Sequence, residues 1–170
     1  MDLILQPNTS CHLADRYQRA FSSAVELLIV NAYLTEWDDS LKLNPGCRRF
    51  RMVIGKDFGI TRKSACEKVM KWLPPQLRAH FLVADQIGGF HPKAVFWKEE
   101  NGSTFAIVGS SNLTAAAFGT NYEANIFCPL PSEDYKAAKD WVNAIASSSV
   151  PVSQDWLDNE LPPVSTGHRP

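Results

Sequence analysis

The sequence of 170 residues has no long uncharged apolar run, no closely spaced cysteine pair and no excess of charge of one sign. Without about 20 consecutive apolar residues, no segment is predicted to span a bilayer. Four scattered cysteines without a CxxC pair favour neither a zinc site nor a disulfide framework. A net charge of -1 means that the chain as a whole does not attract nucleic acid or anionic membranes, so any polyanion site must be local.

The composition, 45% apolar and 21% charged, is that of a globular protein with one core. The first residues contain no basic segment before their short apolar run, so a secretory signal is not expected and the cytoplasm is the predicted compartment. No internal repeat is present. The serines and prolines that follow residue 147 predict a folded unit over 1–150 and a tail or linker over 151–170.

The apolar pattern alternates between strand-like and helix-like spacing, which predicts an α/β chain. Strands are expected at 3–5, 25–34, 50–54, 80–84, 94–98, 104–109 and 124–127, and helices at 14–24, 60–73, 113–117 and 132–146. A hairpin should join 94–98 to 104–109 through Asn101 and Gly102. The predicted fold is a mixed β-sheet with helices on both faces.

Three short motifs contain side chains of the kinds that take part in catalysis or bind anions. His91 and Lys93 are two apart on an extended segment, so their side chains share one side of the chain. Ser110, Ser111 and Asn112 follow an apolar strand and precede a predicted helix, where hydroxyl, amide and backbone N–H donors suit an anion. Glu123 stands before the strand at 124–127, where a carboxylate can orient an imidazole. Each motif alone is better explained by an exposed loop or a helix cap than by a catalytic role.

Taken together and in this order, HxK, GSSN and NxE resemble the phospholipase D superfamily, in particular small bacterial nucleases and restriction-endonuclease domains with one motif per chain. The likeness covers 88–127 in detail. Lys98 stands where the family signature often has an aspartate, and the hairpin at Asn101-Gly102 is longer than usual. The resemblance implies a phospholipase-D-like catalytic domain over 1–150 that needs neither metal nor cofactor.

The resemblance also implies roles for the motif residues. One His91 attacks phosphorus to form a phosphohistidine, and His91 of the second subunit in a homodimer protonates the leaving oxygen. Lys93, Ser110 and Asn112 hold the non-bridging oxygens, with Ser111 also binding substrate, and Glu123 orients the imidazole. The remaining histidines, at positions 12, 80 and 168, lack such a context. The implied activity is that of an endonuclease acting on DNA, with RNA as an alternative substrate.

Basic residues outside the motifs are candidates for contacts with the flanking nucleic-acid backbone. Arg49 and Arg51 share one side of a predicted strand, and Arg62 and Lys63 stand at the start of a predicted helix. No element is typical of a major-groove reader, so a recognition domain or separate recognition subunit is expected to supply any sequence choice.

Three other functions remain open from the sequence. A phospholipid-cleaving enzyme would use the same motifs, although neither a secretory signal nor an apolar membrane-binding stretch is present. A dimeric nucleic-acid-binding module with an inactive site would not need all five motif side chains. A metal-dependent nuclease would use Asp38 and Asp39 with His91 as a further ligand, although adjacent aspartates in a polar loop point apart more often than they chelate.

Overall fold

The computed structural model describes residues 1–7, 13–113 and 121–161. In these ranges eight strands form one sheet in the order β1-β7-β6-β5-β2-β3-β4-β8. The strands are β1 Asp2–Gln6, β2 Ala24–Asn31, β3 Arg49–Ile54, β4 Phe81–Val83, β5 Lys93–Glu99, β6 Thr104–Gly109, β7 Glu123–Pro129 and β8 Val150–Pro151. The pairs β2–β3 and β3–β4 are parallel and the other pairs are antiparallel, so the predicted mixed sheet is confirmed.

Helices cover both faces of this sheet, as predicted. They are α1 Leu13–Ser23, α2 Lys63–Trp72, α3 Ser132–Ser147 and α4 Gln154–Glu160, with single 3-10 segments at Asp57–Gly59 and Pro75–His80. The front face, which includes Leu27 and Ile29 of β2, packs against α1, α2 and α4. The back face, which includes Leu28 and Val30, packs against α3. Because both faces of β2 are covered, every residue of that strand is buried.

The hairpin between β5 and β6 forms where the sequence predicts it. The two strands pair from Ala94 with Val108 to Lys98 with Thr104. Gly102 adopts a φ of 87°, a left-handed conformation that glycine tolerates, and its N–H donates to the carbonyl of Glu99 at 2.9 Å. The helix predicted at 113–117 lies outside the described residues except for Leu113, which is not helical.

The predicted tail is wrong for residues 151–161, which belong to the fold. Pro151 pairs with Leu82 of β4, and Leu157 of α4 is fully buried on the front face. The Ser153 hydroxyl caps α4 by accepting a hydrogen bond from the N–H of Trp156 at 3.1 Å. A two-residue strand and a seven-residue helix are too short for a periodic pattern, and the neighbouring prolines resemble a linker. Residues 162–170 lie outside the described part.

Within the described ranges, no helix is both long enough and apolar enough to cross a membrane.

Candidate active site

The three motifs converge at one end of the sheet, called here the motif end. Lys93, the first residue of β5, pairs with Asn31, the last residue of β2. Gly109, the last residue of β6, pairs with Asn125 near the start of β7. Since these neighbours are antiparallel, the segments carrying His91 and Lys93, Ser110 to Asn112, and Glu123 all lie at this end.

His91 and Lys93 contact one another as their two-residue spacing predicts. The Lys93 Nζ lies 3.3 Å from Nδ1 and 3.5 Å from Nε2 of the exposed His91 ring. The Tyr33 ring packs against the imidazole edge to face, with 5.6 Å between centroids. Burial lowers the pKa of Lys93 below its usual value, and the negative charge of Glu123 partly opposes this effect. An anion beside Lys93 would likewise favour its charged form.

The loop that presents His91 is fixed on both sides. Gly89 adopts a φ of 69°, and its N–H donates to the Asp57 carboxylate at 3.1 Å. The next residue, Phe90, is buried in the back-face core. A Cβ on Gly55 would lie 3.0 Å from the Phe90 ring and 2.5 Å from the carbonyl oxygen of Ala32, so only glycine allows this close approach. These contacts direct His91 outward while its neighbour is anchored.

Ser110 and Glu123 form a second contact at the motif end. The Ser110 hydroxyl donates a short hydrogen bond to the Glu123 carboxylate and accepts one from the N–H of Ala124 at 3.0 Å. The other Glu123 oxygen accepts a 3.4 Å bond from the side-chain amide of Asn121. In the described residues no hydrogen bond joins Glu123 to His91 of the same chain. The weakly bonded oxygen therefore retains acceptor capacity for an imidazole N–H.

Ser111 and Asn112 have more internal positions. The Asn125 amide donates to the Ser111 hydroxyl at 2.8 Å, and both side chains are buried. This pair holds the GSSN segment against β7. The side-chain oxygen of Asn112 is buried, with no hydrogen-bond partner in the described part of the chain.

The basic residues predicted to bind the flanking nucleic-acid backbone lie in two different places in the structure. Arg62 precedes α2 at the motif end, where its N–H donates to the carbonyl of Leu34 at 2.8 Å. Lys63 forms a 2.5 Å ion pair with Asp158 of α4. Arg49 and Arg51 lie elsewhere: Arg49 pairs with Glu26 of β2, five residues or about 16 Å from Asn31. The structure does not bring these two arginines together with His91.

The histidines other than His91 do not join the motif end in the described residues. His80 ends the segment Pro75–His80 and lines a cavity with Arg49 and Arg51. The histidines at positions 12 and 168 lie outside the described residues.

Asp38, one of the two aspartates considered for a metal site, has a local role. Asp38 accepts hydrogen bonds from the N–H and the hydroxyl of Ser40, at 3.0 Å and 2.5 Å, and so stabilises a turn. Across the described ranges, no three His, Cys, Asp or Glu side chains cluster in a way that could hold a metal ion.

Three residues that position the site were not predicted from the sequence: Tyr33, Asp57 and Asn125. Asn125 offers a signal, because a polar residue within an apolar strand needs a buried partner. Tyr33 in a loop and Asp57 in a short 3-10 segment are far from the motifs in sequence, so only the fold reveals their contacts.

Comparisons with solved structures identify the fold. The chain is similar to NucT from Helicobacter pylori, with 16% identity over 89% of this chain and 98% of that chain and a TM-score of 0.61. It is similar to Nuc from Salmonella typhimurium, a phospholipase D family member, with 14% identity over 89% and 96% of the two chains and a TM-score of 0.62. No protein-family model and no curated protein matches the sequence. The chain therefore has the phospholipase-D-like fold that its motifs predict.

Proposed function

We propose that this protein is a metal-independent phosphodiesterase, a nuclease that cleaves DNA through a phosphohistidine at a site shared by two subunits. The observation that carries the proposal is the meeting of His91 and Lys93 with Ser110 and Glu123 at one end of a phospholipase-D-like sheet. These groups supply a nucleophile, a cation and an oriented carboxylate, which phosphodiester cleavage requires.

In the proposed first step, an imidazole nitrogen of His91 forms a bond to phosphorus while the bond from phosphorus to the leaving oxygen breaks. The protonated His91 of the partner subunit gives its proton to that oxygen. In the second step the same partner imidazole takes a proton from water, whose oxygen attacks phosphorus and displaces the first His91. Lys93 stabilises the charge on the non-bridging oxygens, together with Ser110, Ser111 and Asn112.

Glu123 is proposed to orient the imidazole of the partner subunit. Its carboxylate bonds to Ser110 and Asn121 and has no hydrogen bond to His91 of its own chain. An imidazole N–H from a second subunit would fill the remaining acceptor position.

An exposed apolar patch beside the motif end supports the dimer. Val108, Ile126 and Leu3 are lateral neighbours on the back face of β6, β7 and β1, and are 47%, 39% and 61% exposed. Val108 is two residues from Ser110. Because a site with one imidazole per chain needs a second copy to supply the proton donor, we assign the patch to contact with that copy.

Nucleic acid is preferred over phospholipid as the substrate. The exposed apolar side chains of the patch lie in a sheet and are used by the proposed dimer, so they offer no amphipathic helix for a membrane surface. Arg62 at the motif end is exposed and positioned to contact a flanking phosphate. Sequence choice is assigned to another domain or subunit, so the isolated dimer should cut DNA with little sequence preference.

The test is digestion of single-stranded and double-stranded DNA, RNA and a short-chain phosphatidylcholine in EDTA. We expect DNA cleavage that His91→Ala and Lys93→Met reduce at least about a thousandfold, as loss of a nucleophile or charge-stabilising group does. The control is Lys68→Met, an exposed lysine on α2, which should retain parental activity. Cleavage of lipid alone would favour a phospholipase, and no cleavage of any substrate would favour an inactive binding module.

A further inference from the structure

A cavity of about 270 Å³ lies on the back face of the sheet, at the opposite end from the catalytic motifs. It is open to solvent on one side and is lined by residues of β2, β3, α3 and the segment Pro75–His80. The charged and titratable side chains that line it are Glu26, Arg48, Arg49, Arg51, His80 and Lys139. The proposed reaction uses none of them.

The strand register concentrates these charges. Glu26 pairs with Arg49, and Leu28 pairs with Arg51, so both arginines lie on the back face with alternate residues of β2. The N–H of Arg48 donates to the carbonyl of Val25 at 3.0 Å and extends the pairing beyond the start of β3. Lys139 approaches from α3. Three arginines that are close in sequence therefore surround one small space.

The cations in the cavity outnumber the carboxylates. Glu26, which is buried, bonds to Lys139 at 2.7 Å and pairs with Arg49 at 3.8 Å. Among the described residues no carboxylate forms an ion pair with Arg48 or Arg51. Four cations thus face one carboxylate in a protein whose net charge is only -1. This excess of cations gives the cavity a positive electrostatic potential, although the protein as a whole is close to neutral.

We propose that this cavity is a phosphate-binding site, separate from the catalytic centre, in which Arg48 and Arg51 hold a phosphoryl group. A planar guanidinium donates two parallel hydrogen bonds to phosphate oxygens, and a tetrahedral dianion can engage several guanidinium groups at once. A carboxylate has only one pair of oxygens that can accept two parallel hydrogen bonds from a guanidinium group. Glu26 competes with the ligand for Lys139 and Arg49. The phosphoryl group comes either from a free mononucleotide or inorganic phosphate, or from a nucleic-acid backbone.

This proposal does not depend on the proposed nuclease activity, because binding is measured without turnover. The probes are inorganic phosphate and adenosine 5′-monophosphate by titration calorimetry, and a fluorescein-labelled single-stranded DNA by anisotropy in a His91→Ala background. The double variant Arg48→Gln/Arg51→Gln removes the two guanidinium groups that have no ion pair with a described carboxylate. The control Lys68→Gln/Lys71→Gln changes the net charge equally with exposed lysines of α2, which lies on the other face.

We expect Arg48→Gln/Arg51→Gln to weaken phosphate and mononucleotide binding by about tenfold or more, since hydrogen bonds to a charged ligand are lost. The control should leave this affinity within about twofold. Weaker DNA binding with a shallower salt dependence in the double variant alone would identify the backbone as the source. Unchanged DNA binding with weaker mononucleotide binding would identify a small ligand.

A second variant tests the same site in the opposite direction. Glu26→Gln removes the competing carboxylate, so it should tighten phosphate binding while the arginine variant weakens it. Thermal denaturation of each variant checks that the fold is retained. Failure of phosphate and mononucleotide to bind the parent protein, or weaker binding by Glu26→Gln, would overturn the proposal.

Discussion

Replacing Gly109 with alanine should disrupt the motif end through a single methyl group. A Cβ at this position would lie 2.3 Å from the carbonyl oxygen of Ala124 and 2.6 Å from the Cα of Asn125. Both are backbone atoms of β7, so rotation of a side chain cannot relieve the contact. Ordinary contact begins near 3.4 Å, and the ends of β6 and β7 must therefore separate by about 1 Å.

The loss of stability follows from the hydrogen bonds between the end of β6 and the start of β7. A separation of about 1 Å would lengthen the Ala124 N–H to Ser110 Oγ bond, now 3.0 Å, beyond hydrogen-bond range. The Ser110–Glu123 contact would open with it. Strain and lost hydrogen bonds together predict a destabilisation of about 2–4 kcal/mol. For a chain of this size that is a decrease of about 5–15 °C in Tm.

Thermal denaturation and DNA cleavage in EDTA measure the two effects of Gly109→Ala. The matched control is Gly88→Ala in the loop before His91, where an added Cβ would have no atom within 4 Å among the described residues beyond its chain neighbours. The control should keep the parental Tm and activity. Gly109→Ala should lose activity at least about a hundredfold below its own Tm, because a misplacement of 1 Å is costly to catalysis. A Gly109→Ala protein with parental Tm and parental activity would refute the reasoning.

Three further substitutions test separate parts of the structure. Leu157→Ala should destabilise the fold by about 2–5 kcal/mol in urea denaturation, and a parental midpoint would mean that α4 is a dispensable tail. Lys56 has a raised pKa and Asp85 a lowered one, mainly through their mutual hydrogen bond, so the pair stabilises the fold between the two titrations. Stability from Lys56 is lost as pH rises through its raised pKa, and stability from Asp85 as pH falls through its lowered pKa. Lys56→Met should therefore cost about 1 kcal/mol at pH 7 and little at either extreme, and an equal cost at every pH would contradict the assignment. Ile126→Glu should convert the proposed dimer to monomers in sedimentation without unfolding the chain, whereas an unchanged dimer would show that the apolar patch is not the interface.

Much of the sheet and of the candidate site is predictable from the sequence, because both depend on local patterns. The continuous apolar run of β2 indicates a strand buried on both faces, and the Asn101-Gly102 turn indicates the hairpin. Two-residue spacing places Lys93 beside His91. Each of these inferences needs only the geometry of a few consecutive residues.

The remaining features depend on which strands become neighbours, and local patterns do not determine this. Arg49 and Arg51 share one side of β3, as their spacing predicts, but the register with β2 puts them at the end away from His91. The prolines near Val152 resemble a linker, yet Pro151 ends an edge strand, where a missing N–H is tolerated. Sequence spacing thus predicts side-chain direction, while strand order decides position within the sheet.

The proposed site shared by two subunits is tested most directly by mixing parent and variant subunits. Parent protein and His91→Ala protein, unfolded together in known ratios and refolded, form dimers at random, and sedimentation confirms that each mixture is dimeric. If both imidazoles act at one site, only dimers of two parent chains cleave DNA, so an equal mixture should retain about a quarter of the activity. Activity should follow the square of the parent fraction across the series. A linear dependence, with about half of the activity at equal mixing, would show that each chain is catalytically independent and would contradict the composite site.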